Sequence, residues 1–193
     1  TNRRFLVDKQ LLDFFQLNCD PFSLTPNTQL YCRLPQYNNI IETLSYAIKS
    51  EDGICLVTAE VGYGKTMICR KLLTKLSEDD GLAVCYIHNP SQSKAELINL
   101  MISELGGKNN SALTGYGLLQ TTILKLSQKN KKVVIMVDEA QALSTSILDF
   151  IRLLTNLETE AEKLVKVVLF GQPELLIKLK DKTMRQFLQR VST

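Results

Sequence analysis

Histidine is almost missing from this chain of 193 residues, where His88 stands alone. The five cysteines, Cys19, Cys32, Cys55, Cys69 and Cys85, are odd in number and scattered, and no two of them form a CxxC pair. Zinc sites draw on several such ligands at close spacing, so no zinc site is expected. Cys55 and Cys85 fall inside apolar runs of strand type and read as small core residues in a reducing compartment. Long hydrophobic runs are missing too: no stretch approaches the length needed to span a bilayer, and nothing reads as a signal peptide. A charge excess is also lacking. The net charge of +3 is too small by itself to argue for nucleic acid or an anionic membrane surface. The densest basic run, Lys129-Asn130-Lys131-Lys132, sits where a helix should end and reads as a solvated C-terminus rather than a DNA patch. No internal repeat or low-complexity segment is present. The first residue is not Met and the last motif stops at Thr193, so a piece of a longer protein is expected.

What is present is an alternation of helical and strand patterns. Residues 8–17 carry a short amphipathic helix, followed by an irregular stretch with Pro21 and Pro26. Residues 36–49 read as a second helix, with Ile40, Ile41, Leu44 and Ala47 at helical spacing. Strand 54–58 then leads to helix 65–77, strand 83–88 to helix 93–105, and a helix near 113–128 to strand 133–137. Helix 145–157, strand 165–170 and a terminal helical stretch over 173–190 complete the order. Helix 93–105 opens on the capping box Ser93-Lys94-Ala95-Glu96 and closes at Gly106-Gly107. The strands are continuous apolar runs, the pattern of strands covered on both faces in a parallel sheet between helix layers. The fold class predicted is therefore α/β in three layers.

Between the first strand and its helix stands Ala59-Glu60-Val61-Gly62-Tyr63-Gly64-Lys65-Thr66. A strand, a Gly-rich loop and a helix in this order are the context of a phosphate-binding P-loop. Successive loop N–H groups face phosphate oxygens, and the helix start, through Met67, adds its dipole. Lys65, expected to point into a solvent-filled loop, supplies charge to the β- and γ-phosphates, and Thr66 supplies a hydroxyl to Mg²⁺. The expected ligand is ATP or GTP. Ala59 stands where Gly is usual, a methyl that the loop can tolerate because Gly62 and Gly64 lie nearest the phosphates.

The strand Val133-Val134-Ile135-Met136-Val137 ends in Asp138-Glu139. Asp138 is placed to hold Mg²⁺ through water, opposite Thr66, and Glu139 to accept a proton from the attacking water. The alternative is a solvated strand end. Strand 165–170 runs into Gly171-Gln172-Pro173; Gln172 fits a sensor of the γ-phosphate or lytic water, or else caps the helix after Pro173. Asn89 follows strand 83–88 and either hydrogen-bonds Glu139, holding it from water, or is a plain turn residue. Arg185 and Arg190 lie on the last helical stretch. A guanidinium there either stabilises charge on a neighbouring subunit's nucleotide or is an exposed helix residue, with Arg190 the better candidate.

With these pieces in order, the chain resembles an AAA+ ATPase of the ASCE type of P-loop NTPase. More narrowly it is similar to the ATPase domain of the general secretion pathway protein A family and its pilus-biogenesis relatives. The segments that carry the resemblance are Pro21-Phe22-Ser23-Leu24-Thr25-Pro26, the loop 59–66, Asp138-Glu139-Ala140-Gln141 and Arg152-Leu153-Leu154-Thr155-Asn156-Leu157-Glu158-Thr159. Gly171-Gln172-Pro173-Glu174-Leu175 and Arg185-Gln186-Phe187-Leu188-Gln189-Arg190 complete the set. The family usually has Gly and Thr where Ala59 and Tyr63 stand, which bears on affinity and turnover. The resemblance implies a Mg²⁺-dependent ATPase core over residues 51–193, lacking the last strand of the sheet and the helical lid. It also implies an N-terminal helical segment, 1–50, packed on the nucleotide site, with Phe22 near the adenine or else in the core. For the full-length protein it implies self-association as a ring or filament and a cytoplasmic domain tethered to the inner membrane. It further implies partners among envelope secretion or pilus components. Relatives serve DNA transposition, so a DNA-associated ATPase of the transposition or initiator type is one rival reading. A P-loop phosphotransferase is another, disfavoured by the adjacent Asp138-Glu139 and the separate Gln172.

Overall fold

The computed structural model describes residues 9–20, 31–50, 53–88, 90, 93–108, 114–160 and 162–192. Its elements are α1 (Lys9–Phe14), α2 (Pro35–Lys49), β1 (Ile54–Thr58), α3 (Lys65–Ser77), β2 (Leu82–Ile87), α4 (Lys94–Glu104), α5 (Gly115–Ser127) and β3 (Lys132–Val137). A 3₁₀ turn (Ala140–Ala142) leads to α6 (Thr145–Leu154) and β4 (Val165–Gly171). Then come α7 (Pro173–Leu179), a second 3₁₀ turn (Lys182–Met184), α8 (Arg185–Leu188) and β5 (Val191–Ser192). The sheet runs β2-β3-β4-β1-β5, and every pairing is parallel.

Alternate residues of each strand feed two separate cores, which is why the strands read as unbroken apolar runs. Val133, Ile135 and Val137 of β3 and Val165, Val167 and Leu169 of β4 face α4 to α8, against Met101, Leu119, Ile123, Ile151 and Phe187. Val134 and Met136, with Val168 and Phe170, face α2 and α3, against Ile41, Leu44, Ile48, Ile68, Leu72 and Leu76. Lys166 is the exception in β4, buried at 2% exposure. Its stem lies in the sheet and its Nζ donates to the Ser50 carbonyl.

Three expectations are corrected. The stretch 173–190 is not one helix. Asp181 Oδ1 accepts from the Thr183 N–H at 2.8 Å and the Thr183 hydroxyl at 2.7 Å, offering the backbone a local partner in place of the helical one. The last strand is not wholly lacking: Val191 and Ser192 pair with Ile54 and Cys55 of β1. Helix α6 ends at Leu154 rather than 157, because Thr155 is its C-cap and its hydroxyl turns back to the Arg152 carbonyl at 2.7 Å. By contrast, α4 closes as read: the Gly106 N–H donates to Ser103 O and the Gly107 N–H to Ile102 O, with Gly106 left-handed at φ 71°.

Candidate functional site

The sheet order brings three strand ends side by side. β4 lies between β1 and β3, with Thr58 opposite Gly171 and Val137 opposite Leu169. The loop that leaves β1, Gln172 after β4 and Asp138-Glu139 after β3 thus meet at one edge of the sheet. Gly62 (φ 86°) and Gly64 (φ 77°) take the left-handed conformation, which L side chains resist. Open space surrounds both, so glycine is needed there for backbone shape rather than for room. The Ala59 N–H donates to Gly171 O at 3.2 Å, so this residue joins the loop to β4. Glu60, Val61 and Tyr63 are exposed, and Thr66 and Met67 are half-buried at the start of α3.

Lys65 corrects one expectation. It does not point into solvent: it is 6% exposed, and its Nζ donates to Ala59 O at 2.6 Å and Glu60 O at 2.9 Å. The ammonium is folded into the curve of its own loop.

Asp138 is fully buried. Its Oδ1 accepts from the Glu139 N–H at 3.0 Å. Its Oδ2 has no hydrogen-bond partner among the described residues; the His88 Nδ1 lies 3.8 Å away. A buried carboxylate oxygen left unpaired is costly unless a cation faces it. Thr66, at the start of α3 after the loop, and Asp138 stand at the same sheet edge, and their oxygen donors fit a hard cation such as Mg²⁺. Among the described residues no three His, Cys, Asp or Glu side chains gather into a metal-binding group. Such an ion would therefore keep water and phosphate oxygens in its shell.

Glu139 holds a left-handed backbone (φ 54°, ψ 39°), unusual for a residue other than glycine and a mark of functional turns. Its Oε2 accepts from Gln172 Nε2 at 3.3 Å and from Gln141 Nε2. Gln172 is the N-cap of α7 but makes no side-chain cap hydrogen bond; its amide turns to Glu139 instead. The Asn89 and Phe22 readings lie outside the described residues.

Arg185 is exposed and Arg190 half-buried. The Arg190 carbonyl accepts from the Ile54 N–H at 3.2 Å, and its Nη1 lies 3.4 Å from Thr155 Oγ1. Ile54 is the first residue of β1 and the loop follows the last, so roughly 13 Å of strand separates Arg190 from its own loop.

Two site residues escaped the sequence reading. Gln141 stands two positions beyond Glu139, where only the 3₁₀ turn brings it back. His88 follows Ile87, which pairs with Val137, so it stands level with Asp138. That register was the available signal. Behind it, the Tyr86 hydroxyl lies 3.3 Å from His88 Nδ1 and bonds the Cys69 thiol of α3. Burial, then the negative charge of Asp138, pushes the Cys69 thiol well above its usual range. Tyr86 is raised likewise, chiefly by burial. Both stay neutral beside Asp138.

Fold and site together define a P-loop nucleotide-binding domain. An AAA domain family model matches residues 48–179, and the chain belongs to that family. General secretion pathway protein A of Aeromonas hydrophila is 36% identical over 182 residues, covering 93% of this chain and 33% of that protein. The chain thus spans about a third of the length of that curated relative. Among solved structures, Cdc6p of Pyrobaculum aerophilum aligns with TM-score 0.65 at 18% identity, over 89% of this chain and 47% of that one. The ORC2 protein of Aeropyrum pernix, in its ADPNP-ADP complexes, aligns with TM-score 0.67 at 14% identity, over 90% and 49%. At these identities the likeness is one of fold.

Proposed function

We propose that this chain is a Mg²⁺-dependent, ATP-hydrolysing domain that works as an oligomeric switch or motor. The observation that carries the reading is Asp138, a fully buried carboxylate with one oxygen that has no hydrogen-bond partner among the described residues, at the same sheet edge as the P-loop. In this reading the loop N–H groups and Lys65 bind the phosphates, and Lys65 leaves Ala59 O and Glu60 O to do so. Thr66 and Asp138 would hold Mg²⁺, which when bound neutralises charge on the β- and γ-phosphate oxygens. Glu139 orients the attacking water and takes its proton, Gln172 meets the γ-phosphate, and Arg190 serves a neighbouring subunit's site. Adenine recognition would fall in part to the segment around Phe22.

The 36% identity to a general secretion pathway protein supports a task in secretion-system or pilus assembly at the bacterial envelope. The domain would then stand on the cytoplasmic side, tethered to the inner membrane through a further segment. Likeness to the Cdc6p and ORC2 structures is of fold alone, and a net charge of +3 adds no separate support for DNA.

The test is Glu139→Gln in the full-length protein. The amide keeps shape and hydrogen bonding but removes the base. Nucleotide affinity should persist while hydrolysis falls on the order of a hundredfold. A variant that hydrolyses ATP at the parent rate ends the assignment.

A further inference from the structure

We propose that Gln141 is the positioning residue for Glu139: it fastens one carboxylate oxygen to the end of β4 so that the other faces the nucleotide. The inference rests on the reading of Glu139 as the base. Gln141 is held at three points. Its Nε2 donates to Glu139 Oε2. Its Oε1 accepts from the Gln172 N–H at 3.1 Å. Its carbonyl accepts from Lys178 Nζ at 2.7 Å, and the same ammonium bonds Leu143 O at 2.7 Å, pinning the 3₁₀ turn from α7. Gly171 makes space for this arrangement. A Cβ on Gly171 would lie 3.3 Å from Gln141 Oε1 and 2.7 Å from Leu175 Cδ2. The missing side chain at Gly171 leaves the room in which the amide lies.

A primary amide has a donor end and an acceptor end, and here each is used on a different strand end. The donor end meets the carboxylate after β3, and the acceptor end meets the backbone after β4. Gln172 Nε2 reaches the same Glu139 oxygen, so Oε2 carries both amides while Oε1 has neither. A base whose torsions are held this way presents one oxygen in a fixed direction, and small misplacements of a catalytic group cost large factors in rate. The same link ties Glu139 to the backbone of the residue that would meet the γ-phosphate. A shift of Gln172 on phosphate binding would move Gln141 and Glu139 with it.

The experiment uses Gln141→Met in the full-length protein, which keeps the side chain's length and loses both hydrogen bonds. Turnover should fall about tenfold, with KM and the affinity for a fluorescent ATP analogue unchanged. In the Glu139→Gln background the same substitution should have no further effect on turnover. Gln141→Asn, whose amide is one methylene too short to bridge, should repeat the loss and serves if the Met variant does not fold. A merely structural role would instead lower the thermal midpoint and nucleotide affinity and would add to the Glu139→Gln loss, which overturns the proposal. Unchanged or raised turnover in Gln141→Met, with Glu139→Gln impaired, overturns it while leaving the base assignment standing. Parental turnover in Glu139→Gln overturns both.

Discussion

Lys65 is 6% exposed, and its recorded partners are two carbonyl oxygens. An ammonium has three donors, and a buried charge facing only neutral dipoles is weakly compensated. Phosphate oxygens would offer it formal negative charge in the same loop. In the proposed function, the carbonyls of Ala59 and Glu60 would hold the ammonium in the cradle until phosphate oxygens replace them. Lys65→Ala should lower Mg-ATP affinity at least tenfold, about 1.4 kcal/mol or more, as read by calorimetry. Because Glu60 and the loop tip are exposed, water can take over the vacated carbonyls, and the fold should persist. Equal affinity in the two proteins would remove the P-loop role. At this scale the loop was legible because its chemistry is written contiguously. The burial of Lys65 was not, since it depends on how the loop curls over its own side chain.

Among the elements, α4 is the one whose start was most legible. Ser93 Oγ accepts from the Glu96 N–H at 3.3 Å, and Glu96 Oε2 accepts from the Ser93 N–H and hydroxyl, each at 2.8 Å. These bonds, the backbone one foremost, hold the Glu96 carboxyl below its ordinary range. A carboxylate depressed by folding stabilises fully above its unfolded pKa and loses that contribution as pH falls through the folded value. Glu96→Gln should therefore be less stable than the parent at neutral pH, with a gap that narrows on acidification below the usual carboxylate range. Thermal midpoints taken across pH measure this; a gap that stays constant with pH would separate the carboxylate's charge from the cap. The C-terminal stretch shows the opposite case. Its apolar spacing continues through Asp181, and only the local Asp181–Thr183 hydrogen bonds divide it. Periodicity cannot see such competition between side chain and backbone.

For the whole molecule, the strand order decides which residues share an edge. Gln172 lies between the loop and Asp138-Glu139 because β4 lies between β1 and β3. Arg190 lies at the other end of β1, where its carbonyl bonds Ile54, out of reach of its own loop. If it serves a neighbour, each site is complete only in the oligomer. ATPase rate per subunit of the full-length protein should then rise with protein concentration. Mixing Lys65→Ala with Arg190→Ala should restore part of the activity that each lacks, because a mixed interface pairs an intact loop with an intact guanidinium. Arg185→Ala, at an exposed position, should match the parent. Full turnover by Arg190→Ala alone at high concentration would return Arg190 to a local role beside Thr155.

The sequence by itself determined the alternation of elements, the three-layer class, the loop with its Lys65 and Thr66, and the paired Asp138-Glu139. Each of these is encoded by neighbours in the chain: apolar runs, glycine spacing, a capping box. Tertiary structure alone decided that Gln141 reaches both Glu139 and the Gln172 backbone, that His88 stands level with Asp138, and that one oxygen of Asp138 has no hydrogen-bond partner among the described residues. Those facts arise from strand register and from which turn folds back over which sheet edge. They are set by parallel pairing across strands far apart in sequence, where no local pattern carries the information.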